Sequence, residues 1–461
     1  MVTSAELQAV VLAAGKGSRM TELTARRPKC LLPIGNLPMI YFPLDLLERS
    51  GFKDAIVVVL ETTKGEIQAA LDKTGLKIKC DLVSIPAGED WGTADSLRYL
   101  EESNKIKLDV LVITCDLITN VSLAPLLDMY RKQNSAITAM FVKTQNNTVL
   151  TTPGPKTKNK RERDFVGIYK ETSRLVLLAS SSDYEEILPL STNLLRKYGK
   201  FTIHSKLLDA HVYIIRKWLC QYLTHNRTLG TLKGEVLPYV AKKRVPSNND
   251  CTLNAAEEKA SIIGASVKTE LAQFAQESEL AYKVREMSSY NSNTSQTGYG
   301  CDPIQCYACI YDSEETYAIR ANTIHDYNLA NRQIYEKWNE LATCKELISV
   351  SSSANISSSQ VGPTCLIGDK AVIAEKTSLN STIVGVGSTV NTKTLIKDSV
   401  IMAGVTIEQG CVIDNCIICE QAFVGSNCTL KDCIVGSHHK VQSESKHSNE
   451  VLTVVDRLME F

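Results

Sequence analysis

The chain has 461 residues, enough for two or three domains with complete hydrophobic cores. It carries 51 basic and 51 acidic residues, so no overall basic field favours binding to nucleic acid or to an anionic membrane. No apolar run approaches the ~20 residues of a membrane span, and the first residues lack the pattern of a secretory signal. We therefore expect a cytosolic protein with no direct nucleic-acid partner and no membrane partner.

The fifteen cysteines are an odd number and lie in apolar stretches such as "VITCDLI" and "NCIICE". This distribution predicts buried, reduced thiols rather than a disulfide framework. Cys306 and Cys309 have the CxxC spacing, but no second pair follows at the spacing of a zinc site, which disfavours a metal there.

The first part of the chain alternates apolar strands with amphipathic helices. The predicted strands are "LQAVVLAA", "DAIVVVL", "KCDLVSI" and "DVLVITCD", and the predicted helices are "MIYFPLDLLERSG", "KGEIQAAL" and "TADSLRYLEES". This alternation predicts a doubly wound, Rossmann-like α/β domain, which we place at residues 1–245. The charge run Lys156–Arg163 within it is interpreted as a solvated loop.

Residues 246–360 are polar and irregular, with low-complexity pieces such as "SSYNSNTSQTGYG". Such composition predicts a linker with surface loops. Within it, "ETYAIRANTIHDYNLANRQIYEKW" has both strand-like and helical character. We therefore expect an ordered inter-domain segment around residues 305–345.

The last part of the chain has a repeat of 17 residues. Aliphatic residues recur in steps of six, six and five at Ile367, Ile373, Leu379, Val384, Val390, Ile396, Ile401, Ile407, Ile413, Ile418, Val424, Leu430 and Val435. An amphipathic helix would need steps of three and four, and a β-sandwich would need strict alternation. The pattern predicts a parallel β-helix of about four coils over residues 361–440. We expect the tail at 441–461, which includes the apolar stretch "VLTVVDRLMEF", to pack against the last coil or against a partner. The alternative is a frayed tail.

The stretch "VLAAGKGSRMTELTARRPKCLLPI" contains a glycine-bearing loop after the first strand. It lacks both the Walker pattern and the Rossmann glycine fingerprint. In Gly15–Arg19, glycines would let backbone N–H groups approach phosphate oxygens, and Arg19 and Lys29 could neutralise their charge. Taken alone, this glycine spacing is more typical of an ordinary strand-to-helix turn than of a phosphate site.

The longer string "LAAGKGSRMTELTARRPKCLLPIGNLPMI" closely resembles the signature of sugar-nucleotide pyrophosphorylases. "GTADSLRY" is similar to the base-contacting stretch of that family, and "VLVITCD" puts Asp116 at its magnesium-ligand position. The resemblance implies a nucleotidyltransferase-like domain with a mixed sheet, followed by a left-handed parallel β-helix of hexapeptide repeats. It implies a nucleotide-binding site, vestigial or regulatory, made of Gly15, Lys16, Gly17, Ser18, Arg19, Lys29, Gly92, Thr93 and Asp116.

Nucleotidyl transfer in that family requires Mg²⁺ held by carboxylates and basic side chains on the developing charge. No lysine motif of the sugar-binding type is found in "LVLLASSSDYE", and no second acidic ligand follows "GEVLPYV". We therefore assign no catalytic residue and expect no required cofactor. If the nucleotide site is retained, we expect it to hold a nucleotide or sugar nucleotide, with Mg²⁺ bound at Asp116.

Six stretches resemble the gamma subunits of eukaryotic translation initiation factor 2B: "WGTADSLRYL", "VLVITCDLITNV", "RDFVGIY", "LLDAHVYII", "GEVLPYVAKK" and "NEVLTVVDRLMEF". This resemblance implies a non-catalytic structural or regulatory subunit of a guanine-nucleotide exchange factor. It implies pairing with the epsilon subunit, assembly with the alpha, beta and delta subunits, and replacement of GDP by GTP on initiation factor 2. The alternative is an active sugar-nucleotide pyrophosphorylase, similar to mannose-1-phosphate guanylyltransferases, which the glycine loop, Arg19, Lys29 and Asp116 favour.

Overall fold

The computed structural model describes residues 6–86, 91–133, 135–143, 151–155, 164–182, 187, 188, 190, 192–242, 271–275, 283, 304–312 and 315–453. The charge run at 156–163 and the tail at 454–461 lie outside these residues. In the described parts of the chain, no helix is long and apolar enough to cross a membrane.

The described residues of the α/β domain form fourteen strands. They are β1 (Leu7–Leu12), β2 (Pro33–Ile34), β3 (Leu37–Pro38), β4 (Asp54–Leu60), β5 (Lys79–Ile85), β6 (Asp109–Thr114), β7 (Leu117–Thr119), β8 (Ile137–Lys143), β9 (Asp164–Tyr169), β10 (Arg174–Ser180), β11 (Thr202–His204), β12 (Leu207–Ile215), β13 (Cys306–Tyr311) and β14 (Ala318–Arg320). The four strands predicted from apolar runs are β1, β4, β5 and β6, so that prediction is confirmed.

The α-helices of the described residues are α1 (Thr21–Thr24), α2 (Tyr41–Arg49), α3 (Lys64–Asp72), α4 (Thr93–Glu102), α5 (Ala124–Gln133), α6 (Thr192–Lys197), α7 (Lys217–His225), α8 (Leu237–Lys242), α9 (Leu271–Phe274) and α10 (Ile324–Leu341). Short 3₁₀ turns lie at Ser18–Met20, Lys29–Leu31 and Glu61–Thr63, and a π-helical turn lies at Leu232–Val236. The three predicted helices correspond to α2, α3 and α4.

Ten of the strands form one sheet in the order β11-β9-β10-β13-β8-β12-β6-β1-β4-β5. Strands β5, β4, β1 and β6 are parallel, whereas β12 is antiparallel to both β6 and β8. Successive side chains of a strand point to opposite faces. Val10 therefore packs in the layer that holds α4 and α7, and Val11 packs in the layer that holds α2 and α5. This is the mixed, doubly wound sheet that the sequence predicts.

Strand β13 corrects the predicted boundary of this domain. It lies in the interior of the main sheet, between β8 and β10, although it follows the polar linker and was expected in the inter-domain segment. Its sequence "CYACIY" is an apolar run whose backbone groups pair with strands on both sides. The α/β domain is therefore not confined to residues 1–245.

The second domain is a left-handed parallel β-helix with three six-stranded sheets. Its strands are β15 (Asn355–Ile356), β16 (Gln360–Val361), β17 (Leu366–Ile367), β18 (Val372–Ile373), β19 (Ser378–Asn380), β20 (Ile383–Val384), β21 (Thr389–Val390), β22 (Leu395–Lys397), β23 (Val400–Ile401), β24 (Thr406–Ile407), β25 (Val412–Asp414), β26 (Ile417–Ile418), β27 (Phe423–Val424), β28 (Thr429–Lys431), β29 (Ile434–Val435), β30 (Lys440–Val441), β31 (Lys446–Ser448) and β32 (Val451–Leu452). Three strands make one coil, so the described residues up to 453 form six coils.

The β-helix is longer at both ends than the predicted range of 361–440. At the first coil, Val361 pairs with Leu379, one residue beyond the regular spacing, so the register slips there. At the last coil, His447 pairs with Leu430 and takes a position that is aliphatic in the coils before it. Backbone hydrogen bonds continue the stack through these irregular coils, which a count of aliphatic residues does not detect.

One sheet of the β-helix buries both of its faces. Ile367 and its equivalents point into the helix, while a second aliphatic column points outward and packs in a shared apolar cluster with α10 and the α/β domain. The α/β residues Met20 and Tyr41 and the α10 residues Tyr327 and Trp338 belong to this cluster. The outward column consists of Leu366, Ile383, Val400, Ile417 and Ile434.

Polar contacts accompany this apolar interface. Arg27 forms an ion pair with Glu420 of the β-helix. Asn415 accepts a hydrogen bond from Arg332 of α10 at 2.7 Å and donates one to the carbonyl of Thr151 at 3.0 Å. The two domains and α10 are therefore joined by one shared apolar cluster with polar contacts beside it.

The described cysteines are free thiols, and all except Cys80 and Cys344 are buried. The predicted burial of the cysteines is therefore confirmed for the described residues other than Cys80 and Cys344. Cys306 and Cys309 lie on β13, and no group of three or more metal-ligating side chains occurs among the described residues.

Candidate functional site

The glycine loop follows β1 and has a fixed conformation. Gly17 has a φ of 74°, and a Cβ atom there would lie 2.6 Å from Cγ2 of Thr24. The hydroxyl of Thr24 donates hydrogen bonds to the carbonyls of Gly17 and Met20, at 3.2 Å and 3.0 Å. Only glycine satisfies both the positive φ and the close approach. The turn leaves Gly15, Lys16, Ser18 and Arg19 at the surface or near it.

This loop lines a cavity of about 320 Å³, which we call the basic cavity. Six of its lining residues were predicted from the sequence: Gly15, Lys16, Gly17, Ser18, Arg19 and Lys29. Four were not predicted: His211, Lys233, Arg320 and Asn322. The structure thus brings together the predicted loop and basic residues that lie far from it in the chain.

Asp116 lies beneath the basic cavity, just after β6, and only 2% of its surface is exposed. Its Oδ2 accepts a hydrogen bond from Lys29 Nζ at 2.8 Å and from an Nη of Arg320 at 3.3 Å. Its Oδ1 accepts one from the Thr114 hydroxyl at 2.6 Å. Burial acts to raise the pKa of Asp116, but the charges of Arg320 and Lys29 outweigh it and hold the pKa well below its usual range.

These residues do not fit the magnesium site expected at Asp116. Mg²⁺ takes oxygen ligands in an octahedron and usually binds one or two carboxylates. Both carboxylate oxygens of Asp116 are already engaged, and one of them is shared by two cations. A bound dication would lie beside the Lys29 ammonium and the Arg320 guanidinium, which disfavours it electrostatically. We therefore derive no chemical step through a metal at this position.

Gly92 and Thr93 do not line the basic cavity. They begin α4 and pack against the loop that precedes the π-helical turn. A Cβ atom on Gly92 would lie 2.1 Å from the carbonyl oxygen of Gly230, and that same oxygen accepts a hydrogen bond from the Ala94 amide at 2.8 Å. Thr93 accepts one from the Leu232 amide at 2.8 Å. In this structure the predicted base-contacting stretch therefore packs the start of α4 against the Gly230–Leu232 loop.

His211 comes from β12 and was missed in the sequence. It has a φ of 53°, at an irregularity in the pairing of β12 with β8. Burial and the nearby charge of Arg320 hold the pKa of His211 well below its usual value, so the imidazole is neutral at neutral pH. The available signal was the pair of polar residues Asp209 and His211 inside the apolar stretch "LLDAHVYII".

Asp209 supports this part of the site without lining the cavity. Its carboxylate accepts hydrogen bonds from the Tyr213 hydroxyl at 2.7 Å and from the His211 amide at 2.8 Å. Burial raises the pKa of Asp209. Lys233, in the π-helical turn, forms an ion pair with buried Asp164 at 2.9 Å.

Arg320 and Asn322 come from the segment between the linker and α10. Strand β14 pairs with β7, which places Arg320 opposite Leu117 and beside Asp116. The Ala321 amide donates to the backbone carbonyl of Asp116 at 2.9 Å. Asn322 Oδ1 accepts a hydrogen bond from Lys29 Nζ at 2.6 Å. No local motif in the sequence marks these two residues as part of the site.

Two family models match the chain, "Nucleotidyl transferase" over residues 8–150 and "GMPPB C-terminal domain" over residues 344–452. The first match contains the glycine loop, Lys29 and Asp116, and the second covers the β-helix.

The chain is similar to the translation initiation factor eIF2B subunit gamma of three organisms. Identity to the Caenorhabditis elegans protein is 29% over 66% of this chain and 75% of that protein. For Schizosaccharomyces pombe it is 32% over 51% of each chain, and for Dictyostelium discoideum it is 25% over 83% of this chain and 88% of that protein. The S. pombe subunit epsilon is 24% identical over 48% of this chain and 32% of its own length. With the nucleotidyltransferase domain and the β-helix, these similarities support an eIF2B gamma subunit.

Proposed function

We propose that the chain serves as a non-catalytic structural and regulatory subunit of the guanine-nucleotide exchange factor that replaces GDP with GTP on translation initiation factor 2. The observation that carries this proposal is the similarity to three gamma subunits, which for one of them extends over 83% of the chain. The proposed location is the cytosol.

The state of Asp116 supports the non-catalytic part of this proposal. Phosphoryl-type transfer needs a metal ion to neutralise charge between the reacting phosphates. Here Lys29 and Arg320 already neutralise the one carboxylate at the expected metal position. The loop residues Gly15–Arg19 then remain as a phosphate-binding turn without the metal chemistry that would use it, and we propose no catalytic residue.

The proposed mechanism depends on binding surfaces. An exchange factor stabilises the nucleotide-free state of its target relative to the nucleotide-bound states, which requires differential affinity rather than an acid or a base. Pairing with the epsilon subunit is supported by the 24% identity between the two kinds of chain, since similarly folded subunits commonly associate. We propose the alpha, beta and delta subunits as further partners, and initiation factor 2 as the substrate of the assembly.

Affinity purification of the tagged full chain from cytosol at moderate salt tests the assembly. We expect a larger paralogue with hexapeptide repeats to co-purify with three further subunits and initiation factor 2. Recovery of the chain only as a homo-oligomer would overturn the proposal.

A second experiment tests the non-catalytic role. In the reconstituted complex, Asp116→Asn should leave the rate of GDP release from initiation factor 2 within about twofold of the wild type, per assembled complex. Asp128→Asn, at an exposed position of α5, is the matched control. Loss of exchange in the Asp116 variant with full assembly would contradict the non-catalytic role.

An active pyrophosphorylase is the second candidate, which the match to nucleotidyl transferases favours. This candidate predicts that Asp116→Asn inactivates the protein, because removal of the only predicted metal carboxylate should abolish pyrophosphate release. Incubation of the full chain with GTP, mannose 1-phosphate and Mg²⁺ tests it directly. Release of pyrophosphate by the wild-type chain, and its loss in an Asp116→Asn variant that is still folded by circular dichroism, would establish the enzyme.

A further inference from the structure

We propose that Thr152 is a phosphorylation site for a proline-directed protein kinase, and that its phosphate holds the surrounding residues off the β-helix. Those residues are the segment 151–155, "TTPGP", which we call the strap. The proposed modification goes beyond the subunit role and does not depend on it.

Thr152 has the sequence context that this class of kinase requires. The chain contains 13 prolines, and only Pro153 directly follows a serine or a threonine. Proline has no backbone N–H and a fixed φ, so a kinase site shaped for proline after the acceptor hydroxyl distinguishes it from other residues. The full sequence therefore offers such a kinase a single acceptor.

The strap is docked on the β-helix. The side-chain amide of Asn415 donates to the carbonyl of Thr151 at 3.0 Å and to its hydroxyl at 2.9 Å. The Gly154 amide donates to the carbonyl of Asp432 at 2.8 Å. Gly154 has a φ of 98°, and a Cβ atom there would lie 3.1 Å from Cδ1 of Ile434. The backbone of the strap therefore lies directly against the sheet that packs on α10.

Thr152 lies beside the start of α10. Its Oγ1 forms a hydrogen bond at 2.9 Å with Nδ1 of His325, the second residue of that helix. The positive end of a helix favours an anion, but this end is already capped. The Thr323 hydroxyl accepts from the Asp326 amide at 3.1 Å and donates to the Asp326 carboxylate at 2.8 Å. A phosphate on Thr152 would add a charge of about −2 at a turn that already holds this carboxylate.

The docked strap disfavours a phosphate on this hydroxyl. Thr152 is half-buried, and Pro153 and Gly154 are buried. A phosphate within an interface, close to an acidic side chain, is disfavoured by desolvation and by like-charge repulsion. We therefore expect the phosphorylated strap to leave the β-helix.

The kinase acts on the undocked strap, which local opening exposes. Oγ1 of Thr152 attacks the γ-phosphorus of ATP, the bond from that phosphorus to the bridging oxygen breaks, and ADP leaves with the electron pair. The hydroxyl proton passes to a carboxylate of the kinase. Because the phosphate disfavours docking, the modification shifts the population toward the undocked strap.

Incubation of the full chain with ATP and a purified mitogen-activated protein kinase tests the site, with the phosphate located by mass spectrometry. We expect it at Thr152. Pro153→Ala should lower the incorporation by about tenfold or more, because it removes the residue that the kinase recognises. Thr151→Val is the matched control, since no proline follows Thr151, and it should still be phosphorylated at Thr152.

Hydrogen exchange of the phosphorylated chain tests the consequence. The Gly154 amide is hydrogen-bonded only while the strap is docked, so its exchange should become about tenfold faster or more. The Thr406 amide, which donates to Ala422 in another sheet of the β-helix, should exchange as before.

A second pair of variants tests the opening step. Asn415→Ala removes two hydrogen bonds to Thr151 and should raise the rate of phosphorylation severalfold. Asn449→Ala is the matched control, because Asn449 occupies the equivalent corner of a later coil, with a φ of 57° against 51° for Asn415. It should be phosphorylated at the rate of the wild type.

Four results would overturn the proposal: no phosphate at Thr152, equal incorporation in the Pro153→Ala variant, unchanged exchange of the Gly154 amide after phosphorylation, or equal rates for Asn415→Ala and Asn449→Ala. None of these results bears on whether the chain assembles with the epsilon subunit.

Discussion

Replacing Asp116 with asparagine should destabilise the protein strongly. The substitution keeps the size of the side chain but leaves two cations, Lys29 and Arg320, without their carboxylate. Their side chains are only 8% and 12% exposed, so water replaces little of the lost interaction. Breaking a buried ion pair from one side costs about 3–5 kcal/mol. That is a large fraction of the roughly 5–15 kcal/mol that stabilises a typical native protein.

Urea denaturation of the full chain measures this effect through the shift of the unfolding midpoint. The control Asp128→Asn, at a side chain that is 59% exposed, should change the free energy of unfolding by no more than about 0.5 kcal/mol. Arg320→Gln leaves one cation on one carboxylate, so it should cost less than Asp116→Asn. A loss below about 1 kcal/mol for Asp116→Asn, or a larger loss for Arg320→Gln, would refute the reasoning.

The same ion pairs predict a pH dependence. Because the pKa of Asp116 is depressed in the folded state, its contribution to stability is complete above the ordinary aspartate pKa of about 3.9. It is lost as the pH falls from there through the lower pKa of the folded state. The difference in stability between the wild type and Asp116→Asn should therefore shrink below about pH 4. A difference that stays constant from neutral pH into this acid range would contradict the assigned pKa direction.

Two further substitutions probe the loop and the domain interface. Gly17→Ala should lower the free energy of unfolding by about 1–3 kcal/mol in the urea assay, because the φ of Gly17 is 74° and the new Cβ would collide with Thr24. The control Gly15→Ala places its Cβ in open space and should leave the free energy of unfolding nearly unchanged. Ile417→Lys should loosen the β-helix from α10, detected as faster proteolysis between the domains, whereas Val412→Lys, at a 40% exposed position, should not.

The β-helix could be predicted from the sequence because its register depends on a local repeat. The inward aliphatic column specifies the three sheets, and the structure follows it through Val435. The outward column was equally regular, and a doubled aliphatic pair such as Ile417 with Ile418 could have identified the buried sheet. The ends could not be predicted, because Val361 and His447 break the pattern while the backbone ladder continues.

The α/β domain was predictable where the strands alternate with helices and not where pairing is non-local. The parallel strands β1, β4, β5 and β6 are each flanked by helices, so their patterns were sufficient. Strand β13 follows the long linker, and the apolar run "CYACIY" does not indicate that its partners are β8 and β10. The glycine loop was predictable for the same reason as the parallel strands, since its turn is made within a few residues.

The candidate site depends on a contact that no local motif specifies. The sequence around Asp116 retains the pattern of a metal ligand, but Arg320, the residue that neutralises it, is 204 residues away in the chain. Arg320 reaches the carboxylate because β14 pairs with β7 just before α10 begins. Helix α10 packs against both domains. The ion pair between Arg320 and Asp116 therefore connects the basic cavity to the segment that leads directly into α10. The geometry of the basic cavity and the stability of the domain interface should be coupled, because each depends on where β14 lies.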